Sequence, residues 1–464
     1  MFLMILKQGK IFIDGFLREG TILIIGGSIA EIIFSPKGEA YNILYKQNKD
    51  EIEVDCRNKI ILPGIIDIHS HLRDMEQWDK ETFATGTISA AYSGITTVFN
   101  MPNTIPPAIT EKQVKFWMEK AQNNIHVDVG FIAGVPEGID EVEVKKIIKL
   151  GIIGFKIYPI NPLSGVDWTN PENIQKILTI SSKYQIPIFI HPAFPLSDIE
   201  KDQVIIDFKT QKFPVLDLFN RLNPVKMEEK YISFVIDNYK KHIINNKLNP
   251  KKFPIIHFCH VSCIEGYLKI KQVKPNLRIS FEVTPHHLFL SNDNILDNEN
   301  FGKVLPPLRN PKHSQFLFNE LREGNIALIG TDHAPHTLEE KSRDYLGAPS
   351  GFPGFETYPL VLLNSFTKYN LSLENFVKAS SENAVSIFYL KNKGFIKKGY
   401  DADLMIIEKI PEYNIISKNF KTKAKYSPFE NYKTSIQIWK VFLRGIEINS
   451  GKNIPFGQII NRFL

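Results

Sequence analysis

The sequence predicts an α/β protein: a (β/α)8 barrel with a small flanking β-domain built from both ends of the chain. Three observations predict it. After Pro63, eight short apolar runs alternate with longer amphipathic, charge-bearing segments, the texture of parallel strands buried on both faces and joined by crossover helices. Residues 1–62 and 395–464 instead carry short strand-like runs broken by turn signals. Finally, the residues able to do chemistry gather at the C-terminal ends of the eight runs, where a barrel of this kind carries its active site.

Taken in order, residues 1–62 form the first part of the small domain. "MFLMILKQGKIFIDG" opens apolar but breaks at Lys7 and lacks a small-residue cleavage site, so it reads as a first strand and not as a signal peptide. "GTILIIGGSIAEII" and "EIEVDCRNKIIL" continue that domain. The barrel occupies 63–394, with strands in "GIIDIHSH", "GITTVFNMPN", "HVDVGFIAGV", "GIIGFKIYP", "QIPIFIHPA", "FPIIHFCHVS", "NLRISFEVTPHH" and "NIALIGTDHAP". Helices are expected over 79–93, 111–123, 171–183 and 224–242. The segment 395–464 returns to the small domain through "GYDADLMIIE" and "IQIWKVFLRGIEIN", on either side of a polar, lysine-rich loop over 413–435.

Composition narrows the function. The chain has 464 residues, 43% hydrophobic and 23% charged, which is ordinary for a soluble globular protein. Its net charge of +6 is dispersed. No basic stripe with interleaved aromatics argues for nucleic acid, and the weak positive balance would at most draw a small acidic substrate. Cys56, Cys259 and Cys263 are too sparse for a disulfide framework and point to a reducing compartment. No apolar run reaches the length of a membrane span. The expectation is a cytoplasmic protein with neither nucleic-acid nor membrane partners.

The first strand ends in Asp67-Ile-His69-Ser-His71, the fourth in Lys156, the fifth in His191 and the sixth in Cys259-His260. The seventh ends in Glu282 followed by His286-His287, the eighth in Asp332-His333. Alternate strand residues share a side, so His69 and His71 can enter the same barrel mouth. With His191 and His260 they are natural ligands for zinc or a similar divalent ion, and Asp332 adds a carboxylate that can bind metal and move protons. A single strand-end histidine is more often a hydrogen-bonded structural residue; the convergence carries the argument.

Lys156 breaks an apolar run, "GIIGFKIYP". A buried ammonium must pair, lose its proton or react. Two fates stand open on physical grounds. Its amine, made nucleophilic by a depressed pKa, captures carbon dioxide as a carbamate able to bridge two metals; or it snorkels to the rim or pairs with Asp332.

The motifs "IIDIHSHLRD", "FNMPNTIPP", "GFKIYP", "CHVS", "FEVTPHHLFLS", "PPLR", "GTDHAPHTLEEK", "GFPGFET" and "KGFIKKGYDADLMIIE" resemble, in order and over nearly the whole chain, the dihydroorotases of the cyclic amidohydrolase superfamily. The resemblance implies a zinc-dependent, reversible cyclisation of N-carbamoyl-L-aspartate to L-dihydroorotate plus water, in pyrimidine biosynthesis. It implies that His69, His71 and Asp332 hold one zinc and His191 and His260 a second, bridged by Lys156 as N6-carboxylysine. Asp332 would be the catalytic proton carrier. Arg73, Asn103 and His336 would grip the substrate carboxylate, and backbone near Gly354 would face its ring. Cys259 and Glu282 match some relatives and stand either for a third metal or for support of the first two; the bland reading is a small buried hydrophobe and an orienting carboxylate. Homodimerisation and docking on aspartate transcarbamoylase, as in some relatives, are left open.

Three departures from the family bear on substrate contacts. "MEQW" follows "HLRD" where proline and glycine are common, Leu305 replaces a polar residue, and "YPINPLSGVDW" lacks the threonine-bearing lid loop of some dihydroorotases. "SGVDW" resembles allantoinases, so allantoinase or dihydropyrimidinase is the enzymatic rival, while Arg73, Asn103 and "DHAPHTLEEK" favour dihydroorotase. An inactive amidohydrolase-like scaffold is the rival of another class; retention of all six ligands argues against it.

Overall fold

The computed structural model describes residues 3–34, 51–211, 213–452 and 454–462. The N-terminal runs form β1 (Leu3–Ile13), β2 (Phe16–Ile25), β3 (Ser28–Ile33), β4 (Glu51–Asp55) and β5 (Ile60–Pro63). β1 pairs antiparallel with β2 and parallel with β4 and β5, and β2 pairs antiparallel with β3. The eight runs after Pro63 form β6 (Ile65–Ser70), β7 (Ile95–Asn100), β8 (Asp128–Gly134), β9 (Gly154–Ile157), β10 (Pro187–Ile190), β11 (Ile255–Phe258), β12 (Ile279–Val283) and β13 (Leu328–Ile329). All seven successive pairs are parallel. A parallel bridge between Ser70 and His333 brings the last run back to the first, leaving a nearly closed barrel. The chain then returns to the small sheet as β14 (Leu404–Asn414), β15 (Lys433–Leu443) and β16 (Ile446–Glu447), with β14 antiparallel to β5. Barrel and flanking sheet are therefore arranged as the sequence predicts.

Alternation along the strands builds two cores. Phe99, Ile132, Ile153, Phe189 and Leu328 fill the barrel interior together with Phe388, whose ring stacks on Phe189 at 5.3 Å. Val98, Phe131, Phe155, Ile188 and Phe281 belong to the outer core with the helices. Each such side chain contributes about 1.5–3 kcal/mol by leaving water.

The elements differ from expectation where local chemistry or long-range pairing decides. The first barrel helix begins at Phe83, not at 79, because Thr82 and Thr85 form a capping box that fixes its start. The eighth strand is two residues long, since Asp332 adopts φ +49° and the chain turns to let His333 O accept from His71 N at 2.8 Å. The stretch 413–435 is more than a loop. β14 runs into it, and beyond Ser417 it folds over the barrel, where Thr422 Oγ1 donates to Glu81 and Tyr426 Oη accepts from His336 N at 3.2 Å. The chain end adds β17 (Ile459–Ile460), parallel to β8 and thus on the barrel, away from the small sheet.

Candidate active site

β9 answers where Lys156 points. Phe155 and Ile157 pack outward among the helices, so Lys156 between them points into the barrel, where it is 1% exposed. Its Nζ donates to Cys259 Sγ at 2.8 Å and lies 5.2 Å from the Tyr158 ring centroid. It neither reaches the rim nor, among the described residues, forms an ion pair with Asp332.

His69, His71, His191, His260 and Asp332 meet around it. His69 Nδ1 bonds Glu282, and its Nε2 lies 3.4 Å from Asp332 Oδ1. His71 Nδ1 bonds Asn103 Oδ1, and its Nε2 lies 3.0 Å from the same Asp332 oxygen. Both Nδ1 atoms thus face acceptors and must carry protons, which turns each Nε2 lone pair toward a carboxylate. Three acceptors converging in a buried site call for a cation. The electrostatics show the same demand for positive charge: burial disfavours a charged His69, yet Glu282, Cys259 and Asp332 together outweigh it and raise its pKa to about 10, so without a cation a proton takes that place, while burial pushes His71 down to about 4. Burial works against an ionised Asp332 as well, but the two imidazoles hold it well below the usual carboxylate range.

His191 Nδ1 and His260 Nε2 approach to 3.0 Å. Burial pushes His191 down to about 3 and His260 well below its ordinary value, so these are two neutral rings with converging nitrogens. Their separation is close to the roughly 3.3 Å between ligand atoms on a tetrahedral zinc with bonds of about 2.0–2.1 Å. His191 Nε2 and His260 Nδ1 are buried without a hydrogen-bond partner among the described residues. Among the described residues, two groups have ligand atoms within 4.8 Å of one another: His69 with His260 and Asp332, and His69 with Cys259 and Glu282. The donor set fits divalent metal.

Above this centre lies a cavity of about 370 Å³. His71, Arg73, Asn103, His191, His260, Asp332 and His336 line it together with Tyr158, Leu305, Ser350 and Gly351. Ile160, Asn161 and Leu163 do so too, so the divergent run after Lys156 is part of the wall. Arg73 is buried; Nε donates to Pro335 O at 3.2 Å and Nη2 to His336 Nε2 at 3.1 Å. Among the described residues no carboxylate forms an ion pair with it. Arg73, Asp74 and Met75 all have positive φ, near +57°. Proline cannot adopt that angle, which explains why this loop has no proline at Met75.

The structure narrows one expectation and displaces another. Asn103 is committed through Oδ1 to orienting His71, leaving only its amide nitrogen for a ligand. Gly354 does not line the cavity: its N–H goes to His333 Nδ1 at 3.1 Å, and Ser350 with Gly351 takes its place. Gly351 has φ +122°, and a Cβ there would fall 2.6 Å from Ala334 O, so glycine is required for that approach.

Sequence reasoning also missed His257, inward on β11, whose Nε2 bonds Glu282 at 2.8 Å and Nδ1 bonds Ser280 Oγ at 2.9 Å. The available signal was a histidine two residues before Cys259 in an otherwise apolar run. Glu282 thereby joins His69, His257 and the His260 amide (3.2 Å), the orienting role of the bland reading. Gly330 makes room for this pairing, since a Cβ there would sit 3.0 Å from His69 Cβ and from Glu282 Cδ.

Comparison with known proteins agrees with this geometry. Residues 60–447 match the model of the Amidohydrolase family. The dihydroorotase of Methanosphaera stadtmanae is 34% identical over 396 residues, covering 84% of this chain and 85% of that protein. The dihydroorotase of Pyrococcus abyssi is 34% identical over 440 residues, covering 94% and 93%. Among solved structures, the L-hydantoinase (dihydropyrimidinase) of Arthrobacter aurescens superposes with a TM-score of 0.87 at 24% identity, covering 99% of this chain and 100% of that one. The dihydropyrimidinase of Brevibacillus agri gives 0.84 at 21%, covering 99% and 98%; at such identities these two speak for the fold alone. With its barrel, its convergent set of candidate metal ligands and its dihydroorotase relatives, the chain belongs to the amidohydrolase family and is a hydrolase acting on cyclic amides.

Proposed function

We propose that the chain is a dihydroorotase, closing N-carbamoyl-L-aspartate to L-dihydroorotate with loss of water and running the reverse hydrolysis, as a cytoplasmic step of pyrimidine biosynthesis. Arg73 carries the choice among cyclic amides. A buried guanidinium beside the candidate metal centre, with no carboxylate partner among the described residues, asks for an anionic substrate, which dihydroorotate is and allantoin, hydantoin and dihydrouracil are not.

His69, His71 and Asp332 would hold one zinc and His191 and His260 another, with Lys156, as its carbamate, between them. Bound there, the zinc pair would polarise the reacting carbonyl and lower the pKa of water. The chain's own groups do the rest. Arg73, oriented by His336, binds the carboxylate that does not react, helped by the Asn103 amide. Val304 and Leu305 wall the ring and exclude water. Asp332, ionised at neutral pH, takes a proton from the attacking water and delivers it to the departing ring nitrogen. In the biosynthetic direction it takes the proton from the ureido nitrogen as that nitrogen closes on the side-chain carboxyl, and water leaves.

The test is a substrate panel on the purified chain supplied with zinc and bicarbonate: dihydroorotate, N-carbamoyl-L-aspartate, allantoin, hydantoin and dihydrouracil. Turnover of the first two is expected. Turnover of a neutral ring without turnover of dihydroorotate would overturn the reading, and absence of both zinc and activity would support a scaffold.

A further inference from the structure

Tyr158 follows Lys156 by two residues and lines the same cavity. Its hydroxyl is buried, yet it has no hydrogen-bond partner among the described residues. Leaving a buried hydroxyl unpaired costs about 1–3 kcal/mol, so such a group facing a cavity is matched to something the cavity receives. Its ring lies 6.5 Å from the His191 ring and 5.2 Å from Lys156 Nζ, so it stands over the candidate metal centre and not at the outer rim. A phenol hydroxyl supplies one O–H donor. The hydroxyl is therefore a fixed donor on the reacting side of the cavity. The carboxylate side already has Arg73 and His336.

We propose that Tyr158 is a catalytic residue whose hydroxyl donates a hydrogen bond to the carbonyl oxygen of the amide being made or broken. The bond strengthens as negative charge gathers on that oxygen in the tetrahedral transition state, and Tyr158 keeps its proton throughout. The inference rests on the cyclic-amide reading and holds for any member of that substrate class, because the reacting carbonyl is common to all of them.

Tyr158→Phe removes one oxygen and leaves the ring. With whichever cyclic amide the wild type turns over, kcat should fall about 10- to 100-fold with KM within about threefold, because the lost contact belongs to the transition state. Zinc content should be unchanged. The melting temperature should stay level or rise, since no protein partner is orphaned. An unchanged kcat, a loss confined to KM, or a fall in melting temperature would overturn the assignment. Wild-type inactivity on dihydroorotate alone would remove the dihydroorotase reading and leave this comparison to be made on the accepted ring.

Discussion

Arg73→Met is the perturbation that bears most directly on substrate identity. In the free protein the guanidinium is buried with a backbone carbonyl and a neutral imidazole as its partners, and burial lowers its pKa from the ordinary value. The His336 ring it meets is itself pushed down to about 3 by burial, so it offers a lone pair and no charge. A substrate carboxylate would complete the site. Truncating one side of a buried, hydrogen-bonded charge pair costs about 2–5 kcal/mol, and about 3 kcal/mol corresponds to roughly 100-fold in affinity. Methionine keeps the stem volume and removes a buried charge that Asp332 and Glu340 favour only from a distance, so the cost to folding should be small. The expected outcome is a KM for dihydroorotate raised about 100-fold, zinc content equal to wild type, and a melting temperature close to that of wild type. Steady-state kinetics, metal analysis and thermal melts on the same preparation check it. A KM shift below about fivefold would refute the carboxylate grip, and loss of zinc would mean that Arg73 supports the metal centre.

Lys156→Ala should lose activity and retain less than the wild-type zinc after dialysis, with short carboxylic acids restoring part of both; wild-type behaviour would exclude a bridging role. Glu356 accepts from Ser89 Oγ at 2.8 Å and from the amides of Lys421 and Thr422, and burial raises its pKa from 4.5 to about 7. A raised carboxyl pKa means that its stability contribution is complete below about pH 4.5 and is lost as pH rises through about 7, a span worth up to about 3 kcal/mol. Glu356→Gln should therefore match wild type in denaturant melts at pH 4.5 and exceed it at pH 8, and a constant difference across that window would contradict the shift. Lys341 donates to Asn300 O at 2.7 Å and Pro349 O at 2.9 Å, tying the segment that carries Ser350 and Gly351 into the cavity. Lys341→Met should destabilise the fold by about 2–4 kcal/mol through the carbonyls left unpaired and speed tryptic cleavage after Arg343; unaltered melting and cleavage would show that the tether is dispensable.

How much of this was legible follows from where each residue finds its partner. A buried parallel strand shows itself locally, because both faces are apolar, so "GITTVFN" and "QIPIFI" became strands where expected. The candidate ligands showed because polar residues interrupted or ended such runs. The less legible features depend on distant chain. Lys341 reads as one more charge in "HTLEEK" until Asn300, 41 residues earlier, supplies its carbonyl. The pairing of Ile459 with Val129 leaves no local trace, and the positive φ values from Arg73 to Met75 arise in a loop that no period describes. Gly354 looked right by motif, yet His333 claims its N–H. Lys156 lies between these cases: its strand made the lysine conspicuous, but its direction became clear only with Cys259, 103 residues away. A residue that violates its own strand must be satisfied across the fold, as Lys156 is by Cys259, and His257 by Glu282 and Ser280. Where the fold supplies too little, as for Arg73 without a carboxylate and the Tyr158 hydroxyl without a hydrogen bond among the described residues, the proposed substrate would supply the missing complement. Those two residues, rather than the better-matched histidines, are therefore the ones whose substitution reports on what this enzyme binds.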